Sequence, residues 1–380
     1  MTARRVTISD LPIGKPLMWD VHDSAGGLLL RKGHIIPNAG QVTELIARGM
    51  FADIDKLNSI AAREKNTASR QTENPSVLRM INSARVALRQ LLFNLATEAD
   101  AQEKLLALAD DVIEAIDTQF EVAQGCILLN QESTYGARHS VDTAVVSVLI
   151  ARALKKPDAE IVRLCAAALS MNLSMLRQQD KLQEKSETLG SEDLELIAHH
   201  PETSVNQLRS AGINDEEWLS WILHHHENES GTGYPAHKLG ADIPANAKII
   251  SIADRYTASI CNRHYKKFLL PNAAMRDILI SSKSAIEQTM AAVLIRELGA
   301  YPIGTLVKLE DGEVGVVTGK GETAMTPCVH AVLNPRGVAL TVAIKRDTSK
   351  SPHSIREVLR RDQLNLKFTM RLLWGEIASL

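Results

Sequence analysis

From Pro75 to Leu298 apolar residues recur at the spacing of a helix, and this feature constrains the fold more than any other. Val141, Ala144, Val145 and Val148 fall at i, i+3, i+4 and i+7, with Leu149 beside them. Leu105, Leu108, Val112 and Ile116 form a second stripe, and Trp218, Trp221 and Ile222 a third. Apolar stripes of this period must be covered by other helices, so the spacing predicts a body of packed helices. A polar insert over residues 177–193 interrupts it.

The period changes on both sides of this body. Residues 6–54 read as short strands and turns: 6–8, 16–21, a turn over 23–27, then Leu28 to Leu30, with helical spacing only over 41–48. A polar stretch, 56–74, has linker composition and places a boundary near Asn74. After Tyr301-Pro-Ile-Gly304, strand-like pieces at 306–309, 314–317, 329–333 and 340–344 are separated by glycine turns. The expected organisation is therefore a β-rich module over 1–56, a linker and helix over 57–99, a helical domain over 100–300, and a β unit with a basic tail over 301–380.

Composition narrows the functional class. Of 380 residues 45% are hydrophobic and 23% charged, the balance of a globular chain and not of a disordered or collagen-like one. Lys and Arg number 43 against 45 Asp and Glu, which leaves no electrostatic case for a nucleic-acid or membrane-surface partner. Aromatics at 4% are too few for base-stacking platforms. The run Ala144 to Ala151 is far shorter than the roughly 18 residues of a membrane span. The first ten residues lack the apolar core of a secretory signal. Cys126, Cys165, Cys261 and Cys328 lie far apart, as reduced thiols do, so the expected compartment is the cytoplasm.

Five histidines, His199, His200, His224, His225 and His226, crowd one part of the helical region. Imidazole with carboxylate is the donor set of a divalent transition metal. A solvated histidine run is an equal reading of the spacing, because consecutive helical residues diverge by about 100° and cannot all face one ion. His225 is the inward candidate, since it continues the Trp218, Trp221, Ile222 stripe. Asp254 shares a helical face with Ile250, Ala258 and Cys261, and a carboxylate in an apolar stripe needs a metal or a hydrogen-bonded partner. Neighbouring Arg255 diverges from it on the helix, so that partner must come from another segment or be an ion.

The run His225-His-Glu-Asn-Glu-Ser-Gly-Thr-Gly-Tyr-Pro235, with the Ala253-Asp254 pair and Arg263-His-Tyr-Lys266, resembles the signature half of the HD-GYP family, bacterial phosphodiesterases of cyclic di-GMP. The resemblance covers about residues 100 to 300. It implies a mainly α fold class: an all-helical HD-domain bundle, flanked here by a small N-terminal β-rich module and a C-terminal small β-barrel-like unit. It further implies His139, His200, His225, His226 and Asp254 as metal ligands and Arg263 and Lys266 as phosphate contacts. Gly231, Gly233, Tyr234 and Pro235 would form a loop for a signalling partner protein. Carrying Arg263 to a phosphate requires the helix of Asp254 to end near Asn262, because nine residues at 100° turn a side chain to the opposite face.

The same resemblance shows what this chain lacks. Ser170 and Met171 stand where the family has its His-Asp pair, Ser174 where it has a lysine, Tyr135 where trimetal members have a carboxylate, and Ser230 where it has the aspartate of the glycine loop. The bridging carboxylate between two metal ions is the critical loss, since it offsets their repulsion. The expected cofactor is a divalent metal, Fe, Mn or Zn, with at most one well-held ion, or none.

Three functions follow. The first is a catalytically impaired protein of cyclic di-GMP signalling that binds nucleotide or partner. The second is an active metal-dependent phosphodiesterase, with Asp180 or Glu184 supplying the bridge. The third is a dimeric scaffold that binds no nucleotide.

Overall fold

The structure, a computed structural model, describes residues 3–5, 21–23, 27–31, 33–36, 51–53, 75–131, 133–185, 189–261, 269–282, 285–361, 364 and 368–380. The chain divides into two compact units, Met1–Asn74 and Pro75–Leu380.

The first unit carries strands β1 (Ala3–Arg5), β2 (Val21–His22), β3 (Leu28–Leu30) and β4 (Phe51–Asp53) in one sheet of order β1-β4-β2-β3. The turn between β2 and β3 is held by Asp23: its N–H donates to Gly27 O at 2.8 Å and its Oδ1 accepts the Gly27 N–H at 2.7 Å. The strands expected over 6–8 and 16–20, the helix over 41–48 and the linker over 56–74 lie outside the described residues.

The second unit is built on helices α1 (Val77–Phe93), α2 (Ala101–Thr118), α3 (Phe120–Leu129), α4 (Tyr135–Ala153), α5 (Asp158–Ser170), α6 (Leu176–Glu184), α7 (Ser191–Ser210), α8 (Glu216–Leu223), α9 (Ala245–Ser259), α10 (Pro271–Ser281) and α11 (Ala285–Leu298). Buried residues run without a break from Tyr135 to Ala151, so α4 is enclosed by α1, α2, α5 and α9 instead of showing one face to solvent. A carboxylate enclosed in such a helix needs a partner from a neighbouring element. Asp142 of α4 accepts a 2.7 Å bond from Arg85 of α1, whose other terminal nitrogen donates to Asn130 O at 3.0 Å. Burial pushes the Asp142 carboxyl up, and the Arg85 guanidinium acts against that rise.

Strands β5 (Leu306–Leu309), β6 (Val314–Gly319), β7 (Cys328–Leu333), β8 (Ala339–Asp347) and β9 (Ile355–Val358) form an antiparallel sheet of order β8-β7-β6-β5-β9. The expected barrel-like unit is therefore a five-stranded sheet whose outer strands do not pair among the described residues. The chain then returns to the helices through α12 (Met370–Trp374). Trp374 donates from Nε1 to Thr318 O at 3.3 Å and lies against Gly125 of α3, where an added Cβ would come within 2.8 Å of the indole. Part of the basic tail is paired: Arg346 makes a two-pronged bond to Glu313, both prongs at 2.7 Å, and Arg361 donates to Leu129 O at 2.8 Å.

Among the described residues one helical stretch, Asp158–Leu182, is long and apolar enough to cross a membrane, and 72% of its apolar window is buried inside the unit. It is core-forming in this fold. The four cysteines are free thiols, two of them buried.

Candidate metal and ligand site

His200 sits in the middle of α7 and is followed by Pro201. Proline has no N–H, so the carbonyl four residues back, that of Ile197, loses its helical donor. His200 fills the gap by donating Nδ1–H to Ile197 O at 2.7 Å. The His-Pro order thus fixes both the tautomer and the direction of the ring, leaving Nε2 as a lone pair aimed inward.

His225 reaches the same state by another route. Helix α8 ends at Leu223, and the last carbonyls of a helix lack intrahelical donors. His225 donates Nδ1–H to one of them, Ile222 O, at 2.6 Å, and is fully buried, as its place in the apolar stripe predicts. The two Nε2 atoms then face one another at 3.4 Å. His226 completes the group, its ring 4.1 Å from His225 and 5.0 Å from His200 between centroids. One ligand atom from each of the three lies within 4.8 Å of the others.

Burial lowers all three imidazoles. His200 is brought down to about 4 by burial and then by the neighbouring His225, and burial takes His225 and His226 below the ordinary histidine value. Three neutral rings with converging nitrogens form a cation receptor; two opposed lone pairs at 3.4 Å repel unless something positive lies between them. The donor set fits one divalent transition ion, which His200, His225 and His226 would hold. The other clustered histidines point elsewhere: His224 bonds Ser220 O at 2.7 Å, and exposed His199 faces Glu202 at 3.4 Å.

His139 and Asp254 form a second pair in the same cleft, Nε2 to Oδ1 at 2.7 Å, with His139 Nδ1 3.4 Å from Thr257 Oγ1. Burial alone would raise the Asp254 carboxyl, but the His139 hydrogen bond and the surrounding imidazoles hold it well below the usual carboxylate range. The partner required by a carboxylate in an apolar stripe is thus supplied from α4, 115 positions away in sequence. Among the described residues the five expected ligands resolve into a three-histidine group and a His-Asp pair. His139, His200, His226 and Asp254 line one cleft of about 320 Å³, walled further by Tyr135, Tyr234, Arg255 and Asp277.

A family model described as HD domain matches residues 124–289. The chain is 27% identical over 185 residues to a cyclic di-GMP phosphodiesterase of Borreliella burgdorferi, covering 49% of this chain and 48% of that one. It is 26% identical over 230 residues to a cyclic di-GMP phosphodiesterase of Pseudomonas aeruginosa, covering 60% and 55%. The helical body is similar to HD domains and to these two phosphodiesterases. The chain spans about half the length of the curated relatives it matches. A solved HD-GYP-type protein of Bdellovibrio bacteriovorus superposes with a TM-score of 0.48 at 17% identity, over 77% of this chain and 98% of that one, a likeness too loose to place any residue.

Ser170, Met171, Ser174 and Tyr135 are each engaged in bonds or packing of their own. Ser170 is fully buried, donates Oγ–H to Ala166 O at 2.7 Å and accepts the Trp218 indole N–H at 3.2 Å. Met171 is fully buried in the apolar core. Ser174 donates to His200 O at 3.0 Å and lies 2.9 Å from Ser204 Oγ, so it fastens its turn to the helix of His200. Tyr135 stacks on His139 with centroids 5.1 Å apart and planes 12° from parallel. Asp180 accepts the Gly136 N–H at 3.0 Å, which commits it to the start of α4, and the side chain of Glu184 lies outside the described residues. Arg263 and Lys266 also lie outside them, while α9 ends at Ser259.

The glycine loop uses its two glycines differently. Gly231 has a φ of +73°, a left-handed conformation that favours glycine. Gly233 is needed for space instead: a Cβ there would lie 2.5 Å from both Glu227 Cα and His226 O. Ser230 donates to Asn228 Oδ1 at 2.7 Å inside the loop. Tyr234 stacks on His226 at 4.7 Å, which ties the loop to the histidine group.

One residue of this assembly escaped sequence reasoning. Glu227, buried at 4% exposure, accepts the N–H groups of Ala236 at 2.6 Å and Lys238 at 3.0 Å. Its only signal was adjacency to the His225-His226 pair, since it lies beyond the end of a helix where periodicity says nothing.

Proposed function

We propose that this chain is a degenerate HD-GYP protein of cytoplasmic cyclic di-GMP signalling, which binds the nucleotide and one divalent ion and does not carry out two-metal hydrolysis. The observation that carries this is the fate of Ser170 and Met171: both are fully buried, one spent on Ala166 and Trp218 and the other in apolar packing. A two-metal centre needs an anionic bridge to hold its ions a few ångströms apart. A hydroxyl already bonded twice and a thioether do not provide one, and Asp180 is held at Gly136.

A bound ion would supply a positive centre for a phosphate oxygen. The protein's own residues then enclose that phosphate: His139 and Asp254 hold each other, Tyr234 covers His226, and the cleft accepts a ligand beside them. The loop around Gly231, Gly233, Tyr234 and Pro235 is the surface for a signalling partner in this reading.

The second reading, an active phosphodiesterase, is favoured by the relatives described as such and by the retained ligand residues. One experiment separates the two. The full chain is incubated anaerobically with cyclic di-GMP and Mn(II) or Fe(II), the products are separated by chromatography, and binding is measured by equilibrium dialysis. Bound nucleotide recovered intact is expected. Formation of pGpG or GMP that His226→Ala abolishes would overturn the proposal in favour of the hydrolase.

A further inference from the structure

We propose that the cleft wall formed by α9 and α10 reads a guanine base, with Arg255 on its O6 and N7 edge and Asp277 on its N1–H and N2–H edge. The inference rests on the nucleotide binding proposed above and names what the site recognises.

Arg255 and Asp277 line the same cleft as His200, His226 and Asp254. The Arg255 guanidinium donates to Ser281 Oγ on α10. Asp277 lies four residues before Ser281 on that helix, and residues so spaced share a face. The fork of Arg255 is thereby held within about one helical turn of the Asp277 carboxylate. The two form no ion pair with each other among the described residues, and Ser281 occupies one of the five N–H donors of the guanidinium. A fork and a carboxylate set side by side but unpaired match two adjacent edges of one base.

The chemistry selects guanine. Its O6 and N7 accept from a guanidinium fork, and its N1–H and N2–H donate to a carboxylate. Adenine reverses both features: it places a donor where the fork needs an acceptor and a lone pair, N1, against the carboxylate. Among the lining residues Arg255 is the one arginine, and there is no lysine. Tyr135, Met175, Leu269 and Ile278 give the same cleft flat and apolar surface for the faces of a base.

A single fork and a single carboxylate read one guanine, so a cyclic dinucleotide with one guanine should bind as well as one with two. The test is calorimetric titration of the full chain with cyclic di-GMP, 3′3′-cyclic GMP-AMP and cyclic di-AMP, repeated with Asp277→Ala and Arg255→Lys. Both substitutions are at exposed or half-buried positions and leave the core intact. Wild type is expected to bind the two guanine-containing ligands alike and cyclic di-AMP about tenfold or more weaker, the discrimination of a two-pronged base contact. Asp277→Ala should erase the preference, and Arg255→Lys, which keeps the charge but loses the fork, should weaken it.

A preference that survives in Asp277→Ala, or a wild type that binds cyclic di-AMP equally well, overturns guanine reading while nucleotide binding stands. A wild type that binds none of the three overturns both.

Discussion

His200 Nε2 and His225 Nε2 face each other at 3.4 Å while each ring gives its Nδ1–H to a main-chain carbonyl, Ile197 O in one case and Ile222 O in the other. With their donors spent, the pair has only lone pairs to offer, and a cation between them relieves the conflict. The chain should therefore bind one Zn(II) or Mn(II) per molecule, read by elemental analysis after dialysis. An ion at a hundredfold excess over its dissociation constant should raise unfolding free energy by about 2.7 kcal/mol. His225→Ala should abolish the gain, and His199→Ala, at an exposed position beside Glu202, should leave it unchanged. Two tightly held ions per chain would refute the single-site reading.

The buried neutral histidines also set a pH dependence for the metal-stripped protein. His200 is lowered to about 4 in the fold against 6.5 for the free side chain. Between those values the unfolded chain binds a proton that the native state does not, so stability falls as pH drops below 6.5 and levels off below 4. From pH 6.5 to 5 the loss from His200 alone is about 2 kcal/mol, with His225 and His226 acting in the same direction. Urea midpoints at several pH values in chelator-treated protein measure it. A flat profile from pH 7 to 5 would show that these rings are not buried neutral.

The helical body was legible because its apolar period is long and regular, and His225 could be placed inward from the Trp218, Trp221, Ile222 stripe. The choice between His199 and His200 was not open to periodicity. Pro201 decides it by removing one backbone donor, a local exchange that a hydrophobic pattern does not record. Likewise Asp254 stood out as a carboxylate among apolar neighbours, yet its partner His139 lies on another helix, and only tertiary packing brings the two to 2.7 Å. Ser170 and Met171 could be read as residues without the donor set of a metal site, whereas the indole that Ser170 serves was not legible. Arg255 was read only as a poor partner for Asp254, and Asp277 carried no mark in sequence, because a cleft wall becomes visible only once α9 and α10 are packed.

Ser170 offers a stability test of its buried bond to Trp218. In Ser170→Ala the Trp218 Nε1–H loses its acceptor in a fully buried place, at a cost of about 1–3 kcal/mol. Denaturant unfolding of the metal-free variant measures it, and the metal-binding stoichiometry should not change. A variant as stable as wild type would mean that Ser170 is only a filler of space.

Glu227 couples the glycine loop to the histidine group and can be tested apart from both. Its carboxylate takes two backbone N–H groups, from Ala236 and Lys238, and the next residue back is His226, on which Tyr234 stacks. Glu227→Ala leaves those donors without a partner inside a buried turn. The loop relieves that cost by opening to water, so the effect should concentrate there instead of lowering the melting temperature of the whole unit. Hydrogen exchange of a peptide spanning 228–239 should accelerate at least tenfold, while amides of α4 keep their protection. Metal affinity should fall with it, since His226 loses the ring packed against it. Unchanged exchange over 228–239 would show that the Gly233 contact alone holds the loop, and that the carboxylate is not the tie between loop and site.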